Sequence, residues 1–303
     1  MTAEEIVVPP ALVAAQVRFR GAAGRAWVDG VARTAAEYLD RWRLRRDGPT
    51  RSGVAGLVLP VITEDGTPAM LKLQDTDWEH PGEGLALRTW AGDGAAHLLR
   101  EDPETWTLLI ERLDPERDLH SVRDDEAAVR VIAALLNRLN AHTAPPEIPP
   151  LADRARKMIE DAPAIAASLA DPAEGRLLQR WADMLAEVAG EAGDRLLHWD
   201  LHYENVLAAD REPWLAIDPK PLAGDPGFEL HPALWNRWDA ADAERTILRR
   251  FDVMVEVMGL DPARAAVWTV GRSLQNSIWA VEDGDHVLDH QQVTIGAAVT
   301  RRG

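Results

Sequence analysis

The chain contains no cysteine. Disulfides, thiolate nucleophiles and zinc–thiolate sites are excluded with it. Lysine is nearly as scarce: Lys72, Lys157 and Lys220 are the only three among 33 basic residues. Basic residues are outnumbered by 50 acidic ones, which leaves a formal net charge of −17. Non-specific binding to DNA or RNA needs clustered cations against phosphate, so a nucleic-acid partner is not expected. A negative field attracts small cations, although most of the acids need serve only solubility. No apolar run in the sequence approaches the roughly 20 residues that cross a bilayer. The N-terminal stretch has neither a basic leader nor a long apolar core, so no signal peptide is read there. A cytoplasmic protein with no membrane partner is expected.

What is present is a globular balance, 46% apolar and 27% charged over 303 residues. That suffices for one large domain or two lobes. Residues 10–46 read as helix, bounded by Pro9-Pro10 and Gly48-Pro49. The period then changes. Val54–Ile62 and Ala69–Leu73 are short β-prone runs joined by Glu64-Asp65-Gly66, a hairpin signal. Residues 81–92 read as helix and Trp106–Ile110 as a further strand. Beyond Leu113 the pattern is mainly helical. Ala128, Ile132, Leu135, Leu136 and Leu139 form one helical face. Asp171-Pro172-Ala173-Glu174 has the form of a helix start, followed by a stripe of Leu177, Trp181, Met184, Leu185 and Val188. Leu196-Leu197, Val206–Ala208 and Trp214–Ile217 read as short strands around loops, and 230–303 as helices. The expectation is an α+β chain with a strand-rich region 1–112 and a helix-rich region 113–303.

The chemistry concentrates in His198-Trp199-Asp200-Leu201-His202-Tyr203-Glu204-Asn205 and in Ile217-Asp218-Pro219-Lys220. Asp200 and Asn205 lie on a loop between short strands, and Asp218 follows the next strand. An oxygen-rich set of this kind suits Mg²⁺ and leaves one carboxylate to accept a proton. The histidines show no zinc-ligand spacing with an open site, so His202 is read as structural or as packing on the substrate side.

His198-x-Asp200-x-x-x-x-Asn205 resembles the catalytic loop of protein-kinase-like phosphotransferases, in the form found in aminoglycoside phosphotransferases. The longer string Ile217–Glu229, with Leu234-Trp235-Asn236-Arg237-Trp238-Asp239 after it, resembles the streptomycin 6-phosphotransferase and hydroxyurea phosphotransferase branch. The resemblance implies a two-lobed protein-kinase-like fold, with a small antiparallel-sheet lobe and a larger helical one. It implies transfer of the ATP γ-phosphoryl to a hydroxyl, with ATP and Mg²⁺ bound, and antibiotic resistance as the role. Asp200 would be the catalytic base, and Asn205 and Asp218 would hold Mg²⁺. His198 would brace the loop. Lys72 would contact phosphates and pair with Glu83, with Glu79 as the alternative partner. Gly53 and Gly56 would approach phosphate, although Arg51–Gly56 lacks a full G-x-G-x-x-G. Backbone groups of Glu111 and Leu113 would meet adenine. Apart from the resemblance, Lys220 stands two residues after Asp218, close to the phosphates by sequence; it is read as steadying the metal loop or the transferred phosphoryl, with a structural part as the alternative, and not as catalytic.

The acceptor is expected to be a small hydroxylated molecule, with a cationic one compatible with the charge. Asp225, Glu229, Asp239, Glu282 and Asp283 are the candidate acids. Trp235, Trp238, Trp268 and Trp279 could offer ring faces. The alternative for each acid is a solvated helix face, for each Trp a place in the core, and for Asp225 a cap on its own turn. A metabolic amino-sugar or polyol kinase, and a non-catalytic nucleotide-binding pseudokinase, remain as other functions. The sequence leaves the chain as monomer or homodimer, and leaves ATP against GTP open.

Overall fold

The computed structural model describes residues 6–53, 56–75 and 82–302. These divide into two units, one formed by 1–92 with 96–113 and the other by 93–95 with 114–303. Among the described residues, no helix is long and apolar enough to cross a membrane.

The first unit opens with α1 (Pro10–Arg41), whose Pro10 stands at N1, where its missing N–H costs nothing. The helix is broken at Gly21 (φ 57°, ψ −125°), a conformation that a Cβ would disfavour. Beyond the break, Val28, Val31, Ala35 and Tyr38 recur at helical spacing and are buried. After the helix come β1 (Arg45–Arg46), β2 (Arg51–Ser52), β3 (Gly56–Ile62), β4 (Pro68–Gln74), α2 (Glu83–Trp90), β5 (Leu98–Asp102) and β6 (Thr107–Glu111), and Val31, Ala35 and Tyr38 share a core with residues of β3 and β4. The sheet is antiparallel throughout, in the order β1-β3-β4-β6-β5 with β2 also on β3. Leu57, Leu59 and Val61 alternate on β3 and meet Ala69, Leu71 and Leu73 of β4 in the core under α1. Gly66 (φ 88°) closes the hairpin by donating its N–H to Thr63 O. β5 escaped the sequence reading because it is a polar edge strand, Leu98-Leu99-Arg100-Glu101-Asp102.

The second unit carries β7 (Asp114–Asp118), α3 (Asp125–Leu139), α4 (Leu151–Ser168) and α5 (Pro172–Val188). Next come β8 (Arg195–Leu197), β9 (Val206–Ala208), β10 (Leu215–Ala216) and β11 (Leu222–Gly224). It ends with α6 (His231–Leu234), α7 (Ala243–Met258), α8 (Pro262–Glu282) and α9 (His290–Thr300). Asp124 caps α3 and Asp171 caps α5, each accepting backbone N–H bonds in the first turn. The expected face of α3 is buried at all five positions. On α5 the buried stripe runs through Leu178, Trp181, Ala182 and Leu185, one position from the expected Leu177. This unit also holds two small antiparallel systems, β10-β9-β7 and β11-β8. The second pairs Leu222 with Leu197, so the segments that carry Asp200 and Asp218 leave adjacent ends of one ladder.

Residues 198–205 have little regular structure of their own, so other groups must hold them. From one side, Asp125 at the start of α3 accepts from Tyr203 Oη (2.9 Å), Arg250 Nη2 (2.7 Å) and Arg249 Nη2 (2.9 Å). Burial opposes ionisation of Asp125, but its hydrogen bonds to Arg250, Tyr203 and Arg249 outweigh it and draw the carboxyl down to about 2. From the other side, Glu229 is 0% exposed. Its Oε1 accepts from His198 N (2.6 Å) and Asn140 Nδ2 (3.0 Å), and its Oε2 from Trp199 N (2.7 Å). Burial pushes this carboxyl up to about 7 against the pull of those three donors.

Two predictions follow from these anchors, of opposite sign. Asp125 has a depressed pKa, so its contribution is full above about pH 4 and is lost as pH falls towards 2. Asp125→Ala should cost about 3 kcal/mol, because it strips the carboxylate from Arg250, whose side chain is 2% exposed. It should also flatten the acid limb of a melting-temperature profile; an unchanged limb would remove Asp125 from this role. Glu229 has a raised pKa, so its contribution declines as pH climbs from about 4.5 to about 7. Glu229→Gln turns an amide towards a backbone N–H and should cost about 1–3 kcal/mol at pH 5. The wild-type advantage should then narrow towards pH 7. A margin that widens instead would mean that the donors dominate burial.

Candidate active site

Asp200 sits one residue beyond Trp199, which takes the left-handed conformation at φ 65°. A bulky non-glycine residue there is strained, and its surroundings hold it. Arg154 Cζ lies 4.3 Å from the Trp199 ring centroid and Arg272 Cζ lies 4.6 Å from it, so two guanidinium groups pack on the indole. Phe228 and Trp279 lie about it at centroid distances of 6.3 and 6.0 Å.

His198 is buried, and desolvation pushes its imidazole down to about 4. It is neutral at pH 7, with Nε2–H donating to Ile217 O (2.9 Å) and Nδ1 accepting from Asp200 N (3.3 Å). The ring therefore ties the Asp200 segment to the Asp218 segment and has no proton-transfer part. Asn205 donates its Nδ2 to Asp200 O (2.9 Å), so its amide oxygen is not spent on that bond. Ile217 N returns a bond to Asn205 O (3.0 Å). Asp218, half-buried, also adopts a left-handed conformation at φ 57°. Strain at a second non-glycine position in this small region points to a constraint beyond packing.

In the first unit, Lys72 Nζ lies 2.8 and 2.7 Å from the two carboxylate oxygens of Glu83, and Gln74 Nε2 donates to Glu83 Oε2 at 2.6 Å. Both partners are buried, with side chains 11% and 5% exposed. Such a pair adds little net stability, because desolvation offsets its Coulomb attraction. Glu79, the alternative partner, lies outside the described residues, as do Val54 and Ala55 at the start of the first β-prone run.

Several expected site residues are corrected by their surroundings. Glu229 is not a substrate-facing acid: it is fully enclosed and spends its carboxylate on His198, Trp199 and Asn140. Asp225 caps its own turn through Gly227 N (2.8 Å) and pairs with Arg264 Nε (2.6 Å). Gly56 belongs to β3, where a Cβ would meet Leu73 O at 2.7 Å, so strand packing explains the glycine. Gly53 N–H is donated to Gly56 O (3.2 Å) and is not turned to a ligand. Glu111 N–H is likewise donated, to His97 O at 2.8 Å, while Leu113 is buried just beyond β6. Trp268 is core. Asp239 is exposed and bonds to Ala241 N (3.0 Å), and Glu282 and Asp283 are exposed at the end of α8. Trp235 is 41% exposed, and its ring centroid lies 6.2 Å from that of His202.

The sequence reading missed the roles of Arg154, Arg272, Asp125 and Glu229. None lies in a recognisable spacing with Asp200; only the surplus of Arg over Lys hinted at buried guanidinium groups.

This architecture has known counterparts. The described fold aligns with a thermostable mutant of an aminoglycoside phosphotransferase in ternary complex with ADP and hygromycin B. That match has a TM-score of 0.59 and 17% identity, and covers 88% of this chain and 98% of the other. It aligns also with a choline/ethanolamine kinase family protein from Mesorhizobium loti (TM-score 0.58, 17% identity, 88% and 92% covered). At that identity the likeness establishes a protein-kinase-like fold. Sequence relatives are nearer. Streptomycin 6-kinase of Streptomyces glaucescens is 52% identical, with 98% of each chain covered. Hydroxyurea phosphotransferase of Kitasatospora aureofaciens is 50% identical over 98% of this chain and 87% of its own. The family model described as aminoglycoside/hydroxyurea antibiotic resistance kinase matches residues 41–284. The chain is a phosphotransferase and belongs to the aminoglycoside/hydroxyurea antibiotic resistance kinase family.

Proposed function

We propose that the protein transfers the γ-phosphoryl of ATP to a hydroxyl of an aminoglycoside-type antibiotic of the streptomycin class. The carrying observation is the ordered set Asp200, Asn205 and Asp218, held at adjacent ends of one ladder by His198. Asp200 orients the acceptor hydroxyl and takes its proton. Lys72, fixed by Glu83, neutralises phosphate charge. A carboxylate and an amide oxygen fit Mg²⁺, which takes oxygen ligands and keeps several places for water and phosphate. Asn205 and Asp218 would hold it, and it would supply charge neutralisation on the phosphates. The protein's own work is positioning and preorganised charge.

Identity does not separate streptomycin from hydroxyurea, since relatives acting on either are about equally similar. The exposed Trp235 beside His202, two residues past Asp200, favours a ring-bearing acceptor: an indole face suits a sugar or a cation better than a small urea. Hydroxyurea is the second reading, favoured by the Kitasatospora relative.

Purified protein with Mg-ATP should phosphorylate streptomycin, and Asp200→Asn should lower kcat by about 10²–10⁴-fold. Hydroxyurea and amino sugars serve as the other acceptors. Turnover of hydroxyurea alone would replace the first reading with the second. Turnover of none, with ATP still bound, would favour a pseudokinase, and a loss below tenfold in Asp200→Asn would remove that residue as the base. Trp235→Ala should raise KM for streptomycin roughly three- to tenfold, the worth of one ring contact, while kcat stays within about twofold. Steady-state kinetics at saturating ATP check this, and an unchanged KM would take Trp235 out of the acceptor site.

A further inference from the structure

We propose that Asn276 and Gln292 form an amide pair that binds a hydroxylated ring of the acceptor and sets acceptor specificity. The inference rests on the reading of Asp200 as base toward a ring-bearing acceptor, and deepens it.

Both residues belong to a closed circuit of contacts that starts and ends beside Asp200. On one side, Trp199 precedes Asp200, and Arg272 Cζ lies 4.6 Å from its ring centroid. Asn276 follows Arg272 by one turn of α8, and its Nδ2 donates to Gln292 Oε1 of α9 at 3.2 Å. The same oxygen accepts from His231 Nε2 of α6 at 2.9 Å. On the other side, Trp235 stands four residues past His231, and its ring centroid lies 6.2 Å from that of His202, two residues past Asp200. Every member belongs to the second unit. Arg272 and His231 are buried, at 8% and 1% exposed. Asn276, Gln292 and His202 are half-buried and Trp235 is exposed. A polar edge and an indole face therefore open beside the catalytic loop.

The hydrogen bonds fix which atoms are on offer. Asn276 Nδ2 can only donate, so the Gln292 atom that it meets is the amide oxygen, and His231 must carry its proton on Nε2. Burial pushes the imidazole down to about 3, so the ring is neutral at pH 7. Both lone pairs of Gln292 Oε1 are then engaged. Gln292 Nε2, with its two N–H donors, and Asn276 Oδ1, an acceptor, remain, and no described residue bonds to either. A hydroxyl both donates and accepts, so neighbouring hydroxyls of a ring match a donor beside an acceptor. The pair carries no charge, so it recognises hydroxyls without the desolvation of an ion. Docking of α9 does not account for it, because Ile295, Ala298 and Val299 already seat that helix in the core.

The test is calorimetric binding of streptomycin to the full chain with Mg²⁺ and a non-hydrolysable ATP analogue, beside steady-state kinetics with streptomycin and with hydroxyurea. Asn276→Leu and Gln292→Leu should each weaken streptomycin binding and raise its KM roughly 5- to 30-fold, with kcat and the KM for ATP within about threefold. The double variant should lose less than the product of the two single losses, because each amide orients the other. Hydroxyurea has no ring to lay on the pair, so any turnover of it should keep its KM in both variants.

Unchanged streptomycin affinity in both variants would overturn the proposal and leave the reading of the acceptor standing. Equal losses for streptomycin and hydroxyurea, or a fall in kcat in step with the rise in KM, would mark a distorted loop and overturn it too, as would a double variant at the full product. If Gln292→Leu does not fold, Gln292→Met takes its place under the same outcomes. Should wild type bind no streptomycin, the streptomycin reading fails. Other aminoglycosides and amino sugars then decide the pair: a ring-bearing acceptor weakened by both substitutions sustains it, whereas turnover of hydroxyurea alone, or binding of no acceptor, overturns both.

Discussion

A catalytic loop has to be rigid where it cannot be regular, and in this chain Glu229 meets that demand. Its carboxylate sits where no water reaches and accepts two successive backbone N–H groups, at His198 and Trp199. Those N–H groups have no helical or ladder partner, and leaving them buried and unmade would cost about 1–3 kcal/mol each. Everything downstream inherits the placement. Trp199 can stay at φ 65° because its amide is fixed on one side and its ring is held between Arg154 and Arg272 on the other. Asp200 follows that residue directly, so its side-chain direction is set before any contact of its own.

The strongly negative chain places several arginines inside this arrangement. Arg250 is enclosed and divides its guanidinium between Asp125 and the carbonyls of Ala233, Leu234 and Asn236. Arg237 gives one nitrogen to the carbonyls of Leu119, His120 and Val122 and lays its plane over Tyr203. A planar fork with five donors suits such junctions of irregular backbone, where several carbonyls converge. The acids outnumber the bases overall, and the guanidinium groups around the loop serve structure.

How much of this could be read from the residues alone varies with the range of the interaction. The hairpin around Gly66, the face of α3 and the cap at Asp171 are local patterns, and spacing carries them. Lys72 with Glu83, and the Asp200, Asn205 and Asp218 set, were legible because a family spacing is itself a record of geometry. Glu229 was misread because an acid eleven residues from Asp218, the expected metal ligand, looks substrate-facing in one dimension, whereas it is enclosed just past the turn at Asp225. β5 was missed because an edge strand with charged residues has no alternation. The glycines of Arg51–Gly56 resembled a phosphate loop, yet the carbonyl of Leu73 explains Gly56. Long-range burial decides each of these, and a one-dimensional pattern does not contain it.

The choice of lysine at 220 also follows from shape. Arginine outnumbers lysine ten to one here, 30 against 3, so a lysine beside the base runs against the habit of the chain. Of the three lysines, Lys72 and Lys220 each face an acid of the proposed site, while Lys157 makes an exposed i,i+4 pair with Asp161. A guanidinium at 220 would present two parallel N–H groups to Asp200 and engage both carboxylate oxygens at once. The carboxylate would be held firmly and would have no oxygen left for a hydroxyl proton. An ammonium is a compact point charge, so it can occupy Oδ2 and leave Oδ1 open. The side chain that binds a base less completely is the one that lets it act as a base.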